Sequence, residues 1–152
     1  MKPSILLRVA SVLTLVHAVL HTIGGVFGKT PPGAATVAVA AMQANHFVFM
    51  GAMRTYWEFQ RGMGLAVTVF LTAEAIVFWM LASLAKTNAR QLRPILVTFF
   101  FAYVAFAIVS ARYFFWTPVV VELTIALCLG LACAGAKSGV AEPKERKIAA
   151  GW

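Results

Sequence analysis

Four long apolar runs dominate the hydrophobic pattern of this chain, and short polar segments separate them. None of the runs alternates between apolar and polar residues, which excludes the strands of a half-buried sheet. Each run has about 18 to 24 residues, enough for a helix to cross a hydrocarbon core of about 30 Å. The pattern predicts an all-α fold, a polytopic membrane protein built as a bundle of four transmembrane helices. The predicted spans are residues 4–27, 62–85, 94–111 and 118–135.

The link between the first two spans is long for so small a protein. It begins with a rigid Lys-Thr-Pro-Pro-Gly turn at residues 29–33. The following residues are rich in Ala and Met and mostly apolar, which is unusual for a free loop. We therefore expect residues 34–60 to form an interfacial segment, with one or two helices on the outer membrane surface. Residues 1–136 are predicted to form a single domain, and residues 137–152 a basic tail.

The composition agrees with a membrane location. Hydrophobic residues make up 61% of the 152 residues, charged residues only 12%, and the mean hydropathy is +0.84. Soluble domains have roughly a quarter charged residues. The net charge of +8 does not indicate nucleic-acid binding, because the basic residues form small groups between apolar runs. Basic residues in such places lie next to acidic lipid head groups, so membrane lipid is the expected partner.

The distribution of basic residues predicts the orientation. Nine of the 13 Lys and Arg residues lie at the N-terminus, in the link between the second and third spans, or in the tail. These nine are Lys2, Arg8, Lys86, Arg90, Arg93, Lys137, Lys144, Arg146 and Lys147. Cytoplasmic segments are enriched in Lys and Arg, so both termini are predicted to be cytoplasmic, in a bacterial inner membrane.

Four ionisable residues lie within the predicted spans: His17, His21, Glu74 and Glu122. Such side chains are costly in lipid unless they face a partner or a wet cavity, so each is a candidate functional residue. Further polar and aromatic candidates lie at the outer boundary, namely His46, Arg54, Trp57, Glu58 and Arg112. We expect most of these side chains to share a pocket in the outer half of the bundle, and His17 to meet Glu74 near the midplane.

The candidate roles follow from the chemistry of the side chains. In an enzyme, His21 or His17 would be the acid or base, and Glu58 or Glu122 would orient it. Arg54 or Arg112 would bind an anionic group, with Glu74 and His46 as further ligand contacts. Trp57 would act as a lid or as an interfacial anchor. Glu58 is also spaced to pair with Arg54 or Arg61 on a helix. No motif identifies a reaction, so enzyme status stays open.

His17 and His21 are four residues apart and share one helical face, so together they can bind a divalent metal or one can bind haem. Hydrogen bonds across the bundle, to Glu74, Glu122 or a backbone carbonyl, are the simpler explanation. Gly24 and Gly28 form a small-xxx-small pattern, which permits a homo-oligomer or close packing within the chain. The two cysteines, Cys128 and Cys133, are expected to be buried apolar residues.

The His-Thr-Ile-Gly-Gly motif at 21–25, Met-Gly at 50–51 and the Arg-Thr-Tyr-Trp-Glu-Phe-Gln-Arg-Gly-Met-Gly block at 54–64 resemble those of a family of small four-span bacterial membrane proteins. The resemblance covers nearly the whole chain but implies no particular chemistry. Three functions therefore stay open. The leading one is an outer-half pocket for a lipophilic small molecule, lipid or ion. The others are a haem- or metal-binding redox protein using His17, His21 and His46, and a structural or assembly subunit.

Overall fold

A computed structural model describes residues 1–136 of the chain, and these residues are mostly helical. The basic tail predicted at residues 137–152 lies outside the described residues. The elements in chain order are α1 (Pro3–Leu20), a π-helical segment (His21–Val26), α2 (Ala34–Ala44), β1 (His46–Phe49), β2 (Ala52–Thr55), α3 (Tyr56–Asn88), a 3-10 turn (Ala89–Leu92), α4 (Arg93–Tyr113) and α5 (Trp116–Gly135). The all-α prediction is confirmed for the long elements.

The helix starts follow from local chemistry. Pro3 and Pro94 lie in the first turns of α1 and α4, where the missing N–H of proline costs nothing. Helix α3 begins at Tyr56, six residues before the expected Gly62, because Thr55 and Glu58 form a capping box there. With 33 residues α3 is about 50 Å long, more than a hydrocarbon core requires.

Helix α1 is the central element of the packing. It lies against α3 on one side and α5 on the other, and α5 also packs against α4. Large aromatic side chains join α3 to α4, with the Phe78 ring centroid 5.0 Å from that of Phe99 and 6.0 Å from that of Tyr103. The core of the bundle is continuous from Leu7 on α1 to Leu129 on α5.

The outward faces of the helices are apolar. Large hydrophobic side chains such as Val16, Phe101 and Leu127 are about half exposed or more, whereas Ser11 and Thr14 are buried. This distribution is the reverse of that in a soluble bundle, where polar residues cover the surface. Three helical segments are long and apolar enough to cross a membrane, and the longest of them, Tyr56–Tyr113, contains both α3 and α4. The long helices are therefore compatible with membrane insertion.

The link between α1 and α3 differs from the expectation. Residues 34–44 form one helix as expected, but residues 46–55 form an antiparallel hairpin instead of further helix. The reason is local: Phe-Val-Phe and Ala-Met-Arg-Thr flank a two-residue Met-Gly turn, and aromatic and β-branched residues around such a turn favour strands. The apolar composition of the link did not reveal this difference in backbone preference.

Basic residues near the helix ends lie over aromatic rings. The Arg8 guanidinium is 4.5 Å from the ring centroid of Trp79, and that of Arg61 is 4.9 Å from the ring of Phe27. These contacts let the charge remain near the polar end of a helix while the aliphatic stem covers apolar surface. The contact of Arg8 with Trp79 joins α1 to α3, and the contact of Arg61 with Phe27 joins α3 to the residue that follows the π-helical segment.

Candidate functional site

Several polar residues of the long helices point into the bundle. Five of them are buried, and Tyr103 is buried beside them, at the midpoint of α4. We refer to six connected or neighbouring residues as the polar column: Thr14, His17, Glu74, Tyr103, Ser110 and Glu122. Groups of this kind are expensive in a bundle core unless they bond to one another, so their positions decide the chemistry available.

The first part of the polar column is a hydrogen-bonded chain across three helices. The Tyr103 hydroxyl on α4 donates to Oε2 of Glu74 on α3, with an oxygen–oxygen distance of 2.8 Å. The same hydroxyl lies 3.2 Å from Oγ1 of Thr14 on α1, and Thr14 in turn donates to the Ala10 carbonyl at 2.9 Å. Glu74 therefore meets Tyr103, and no bond joins it to His17 among these contacts.

This chain supports two hydrogen-bond directions. With Glu74 ionised, Tyr103 donates to the carboxylate and Thr14 can donate to Tyr103. With Glu74 protonated, the carboxylic acid donates to Tyr103, which donates to Thr14, which donates to the Ala10 carbonyl. Each hydroxyl has one proton and can accept as well as donate. Gain or loss of a proton at Glu74 can thus be accommodated by reversing hydrogen bonds, with little movement of heavy atoms.

The second part of the polar column is the pair formed by Ser110 and Glu122. Glu122 has no exposed surface, and its Oε1 accepts a hydrogen bond of 2.8 Å from the Ser110 hydroxyl. Its other oxygen, Oε2, is buried and has no hydrogen-bond partner among residues 1–136. A buried carboxyl oxygen without such a partner costs free energy, so packing alone does not explain why Glu122 is there.

His17 lies between the two parts. It is 7% exposed, its Nδ1 is buried without a hydrogen-bond partner within residues 1–136, and its ring stacks on Phe106 at 6.2 Å between centroids. Phe106 is one helical turn from Ser110 and three residues from Tyr103 along α4, which puts His17 near both parts of the polar column. Every group in the column can take up or release a proton or carry one along a hydrogen bond.

His21 is held away from the column at the start of the π-helical segment. Its Nε2 is 3.0 Å from the carbonyl oxygen of Gly64 on α3. The paired glycines at 24 and 25 permit the wider turn, and the Phe27 N–H bonds the Thr22 carbonyl five residues back. A Cβ at Gly28 would collide with the Gly24 carbonyl, so packing within this turn explains that glycine without a second helix.

The approach of His21 to α3 depends on Gly64. A Cβ at Gly64 would lie 2.9 Å from Cγ2 of Val26 and 4.0 Å from Nε2 of His21, whereas one at Gly62 would meet nothing within 4 Å. We expect Gly64→Leu to lower the free energy of unfolding by about 1–3 kcal/mol through overpacking. Gly62→Leu is the matched control and is expected to leave it unchanged or slightly higher. Equal stability of both variants in detergent unfolding experiments would contradict this packing.

The outer-boundary candidates do not come together with the buried ones. The exposed Arg54 guanidinium donates to the Met53 carbonyl at 2.8 Å, and exposed Arg112 lies beside the ring of Tyr113, 5.8 Å from its centroid. His46 is exposed at the base of the hairpin, and Trp57 is half-buried in the first turn of α3. The structure therefore does not bring these residues together with Glu122, whose side chain is buried inside the bundle.

Glu58 also has a different partner from those expected. Its Oε2 accepts a hydrogen bond of 2.8 Å from the Thr55 N–H, and its own N–H donates to Oγ1 of Thr55 at 3.0 Å. Arg61, one of the expected partners, instead lies over Phe27. Mainly the Thr55 N–H, helped by the Thr55 hydroxyl and by the charges of Arg54 and His46, lowers the pKa of the Glu58 carboxyl. Glu58 thus fixes the start of α3.

The capping box gives α3 a pH dependence with a definite sign. Because the folded pKa of Glu58 lies below its unfolded value, ionised Glu58 stabilises the fold above the unfolded pKa, and this contribution is lost as pH falls through the folded pKa. We expect Glu58→Gln to lose less stability than wild type on acidification from neutrality to about pH 3. Thr55→Ala is expected to cost about 1 kcal/mol at neutral pH. Thermal unfolding measured across this pH range would contradict the pH dependence if wild type and Glu58→Gln lost the same amount of stability.

The residues present do not form a metal centre. Among residues 1–136, no group of three or more His, Cys, Asp or Glu side chains is placed to hold a metal ion. His17 and His21 are one helical turn apart, but His21 Nε2 lies 3.0 Å from the Gly64 carbonyl oxygen, and His46 is on the exposed hairpin. The donors expected for metal or haem are therefore divided between the core, the end of α1 and the surface.

Sequence reasoning missed Tyr103 and Ser110. A usable signal existed for Tyr103, because tyrosines of membrane helices prefer the interfaces and this one lies at mid-span, where its hydroxyl needs a partner. Ser110 gave no comparable signal, since serine is common in such helices and bonds its own backbone.

Comparisons with family models, curated proteins and solved structures found no match to this chain.

Proposed function

We propose that the chain is a four-span integral protein of the bacterial inner membrane whose core binds and releases protons. The spans are α1 with its π-helical end, α3, α4 and α5, and both termini are cytoplasmic. The polar column is the functional site. In this proposal Glu122 and Glu74 are the proton-binding groups, His17 lies between them, and Tyr103, Thr14 and Ser110 carry the hydrogen bonds.

One observation carries the proposal: Glu122 is completely buried, with one carboxyl oxygen bonded to Ser110 and the other without a partner in the part of the chain that the structure describes. Carboxyl groups inside membrane bundles recur in proton relays, where their cost to stability is offset by function. The chain of hydrogen bonds from Glu74 to Thr14, whose direction can reverse, supports the same proposed function. The apolar outer faces and the cytoplasmic bias of the basic residues support the four-span arrangement.

The test is the infrared spectrum of the protein in lipid vesicles as the pH of the bulk solution changes. We expect carboxylic-acid C=O absorption that responds to pH, and Glu122→Gln should remove the part that comes from Glu122 while leaving the part from Glu74. Glu58→Gln, which changes an exposed carboxylate, is the matched control and should retain both parts. A pH-sensitive dye inside the vesicles should also report slower proton entry for Glu122→Gln than for wild type. A spectrum in which Glu122→Gln and wild type are identical at every pH would overturn the proposal.

A second candidate function is binding of an amphiphile at the outer surface. Arg54 and Glu58 line an open groove of about 310 Å³ together with Phe59, Gly62 and Met63. A cation beside two apolar side chains suits a lipid or lipophilic anion. Native mass spectrometry with phosphatidylglycerol tests this: Arg54→Gln should weaken binding by about tenfold, the loss of one charge-assisted hydrogen bond. The control Arg90→Gln, near the other end of α3, should not.

A further inference from the structure

The hairpin between α2 and α3 has a geometry that its sequence does not favour in water. Strands β1 and β2 pair in the register Val48 with Met53 and Phe49 with Ala52. The turn between them is Met50-Gly51, and both residues have positive φ, 51° and 81°. Two such residues define the turn that suits the twist of a hairpin, and Asn-Gly or Asp-Gly is the preferred pair.

Methionine is a poor choice for the first position of that turn. Asn and Asp tolerate positive φ because their short side chains bond locally, whereas a longer apolar side chain gains nothing there. Met50 is also 91% exposed, so packing within the described residues does not offset its strain. A contact outside the protein would explain why an apolar side chain lies at this position.

The end of the hairpin is apolar on both faces. Val48 and Met53 share one face and are 70% and 63% exposed, and Phe49 on the other face is 67% exposed. A hairpin that lies on a protein in water has one polar face. Arg54 and His46, at the base, are the charged or ionisable residues closest to the tip.

The base of the hairpin is fixed to α3. The Phe47 ring lies 4.9 Å from that of Tyr56 and 5.7 Å from that of Phe59, measured between centroids. The Tyr56 N–H also donates to the Asn45 carbonyl at 3.3 Å. The tip therefore projects from the outer end of α3 in a direction that these contacts set.

We propose that the hairpin His46–Thr55 is a lipid-binding finger, whose tip residues Val48, Phe49, Met50 and Met53 insert into the head-group layer of the outer leaflet. Arg54 and His46 then lie at the depth of the lipid phosphates, where a positive charge is favourable. Insertion stops at the boundary of the acyl chains, because the outer edges of a two-stranded sheet have unpaired N–H and C=O groups that need water or head groups. This inference rests on the proposed membrane-spanning arrangement.

The test measures which reagent reaches a spin label at the tip. The native Cys128 and Cys133 are first replaced by Ala, and single cysteines are introduced as Met50→Cys, Val16→Cys and Thr30→Cys. Val16, on the outward face of α1, is the lipid control, and Thr30, in the exposed turn before α2, is the water control. The labelled proteins are reconstituted in phosphatidylglycerol and phosphatidylethanolamine vesicles and exposed to oxygen and to a water-soluble nickel complex. Circular dichroism checks that each variant keeps its helix content.

We expect the ratio of oxygen access to nickel access at position 50 to lie between the ratios at positions 16 and 30, as for a label in the head-group layer. Access like that at position 30 would overturn the proposal of a lipid-binding finger, but it would not contradict the proposed membrane-spanning helices. Protection from both reagents would also overturn it, and would indicate burial by a second copy of the chain. If the label at position 16 itself is open to nickel, the membrane-spanning arrangement fails, and the finger fails with it.

A turn variant separates lipid contact from local folding. Met50→Asn places a preferred residue at the positive-φ position, so the hairpin should form at least as well as in wild type. With a label moved to Val48→Cys, Met50→Asn should shift access from oxygen toward nickel, because the tip becomes polar. No change in that ratio would show that Met50 does not hold the tip in lipid, and would contradict the proposal.

Discussion

Replacement of Glu122 by Met is expected to stabilise the fold and at the same time to abolish the part of the pH-dependent carboxyl signal that comes from Glu122. Met has a similar length and no polar atoms to desolvate, and the freed Ser110 hydroxyl can bond the Phe106 carbonyl one turn back. The gain in the free energy of unfolding should be between zero and about 2 kcal/mol, as for other buried charged groups replaced by apolar ones. Reversible unfolding in mixed micelles with increasing SDS measures it.

Glu122→Gln is the variant with which Glu122→Met should be compared. The amide oxygen still accepts from Ser110, so this variant should be about as stable as wild type while it loses the same part of the signal. A residue kept for function is often destabilising, and its removal then separates stability from activity. If both variants instead lose more than about 1 kcal/mol, Glu122 is a structural residue and the proton-binding role is wrong.

Replacement of Tyr103 by Phe is expected to be the most destabilising of the single-atom changes in the core. The missing oxygen bridges Glu74 on α3 and Thr14 on α1. Its loss leaves the Glu74 carboxyl without this partner in a half-buried position, at a cost of about 1–3 kcal/mol. The same change should interrupt the hydrogen-bonded chain, so the response of Glu74 to pH should change in the infrared spectrum.

Tyr113→Phe is the matched control for Tyr103→Phe. Tyr113 is 73% exposed at the end of α4, and removal of its hydroxyl should change stability by less than about 0.5 kcal/mol. A double-mutant cycle with Glu74→Met, which has no oxygen to accept the hydrogen bond, should give a coupling energy of about 1 kcal/mol or more to Tyr103. Additive effects of the two substitutions would mean that the 2.8 Å contact contributes little, which would contradict the proposed chain.

The inward orientation of the ionisable residues could be predicted from the sequence in outline. The apolar runs indicated the long helices. The free-energy cost of placing an ionisable side chain in lipid indicated that His17 and Glu122 would turn toward the interior of the bundle. Both are buried, at 7% and 0% exposure. The exact partners could not be predicted in the same way, because a partner depends on how each helix is rotated against its neighbours.

The pairing of Glu74 shows why. Depth along the predicted spans made His17 a reasonable partner for Glu74, since the sequence predicts both near the midplane. Tyr103 is its partner in the structure because large aromatic side chains fill the space between α3 and α4 and bring the hydroxyl to the carboxyl. Such packing depends on the volumes of many side chains at once, and no local pattern records it.

The link from α1 to α3 makes the same point for backbone structure. Its apolar character was plain from composition, but a helix and a hairpin expose such residues equally well, and only the Met-Gly turn and its paired strands separate the two. Local chemistry therefore fixed the long helices and the inward direction of the costly groups. Contacts between residues far apart in the chain arrange those groups into a polar column and set the direction of the hairpin. The sequence of a single helix or strand does not encode how that element is rotated against its neighbours or how far from them it lies.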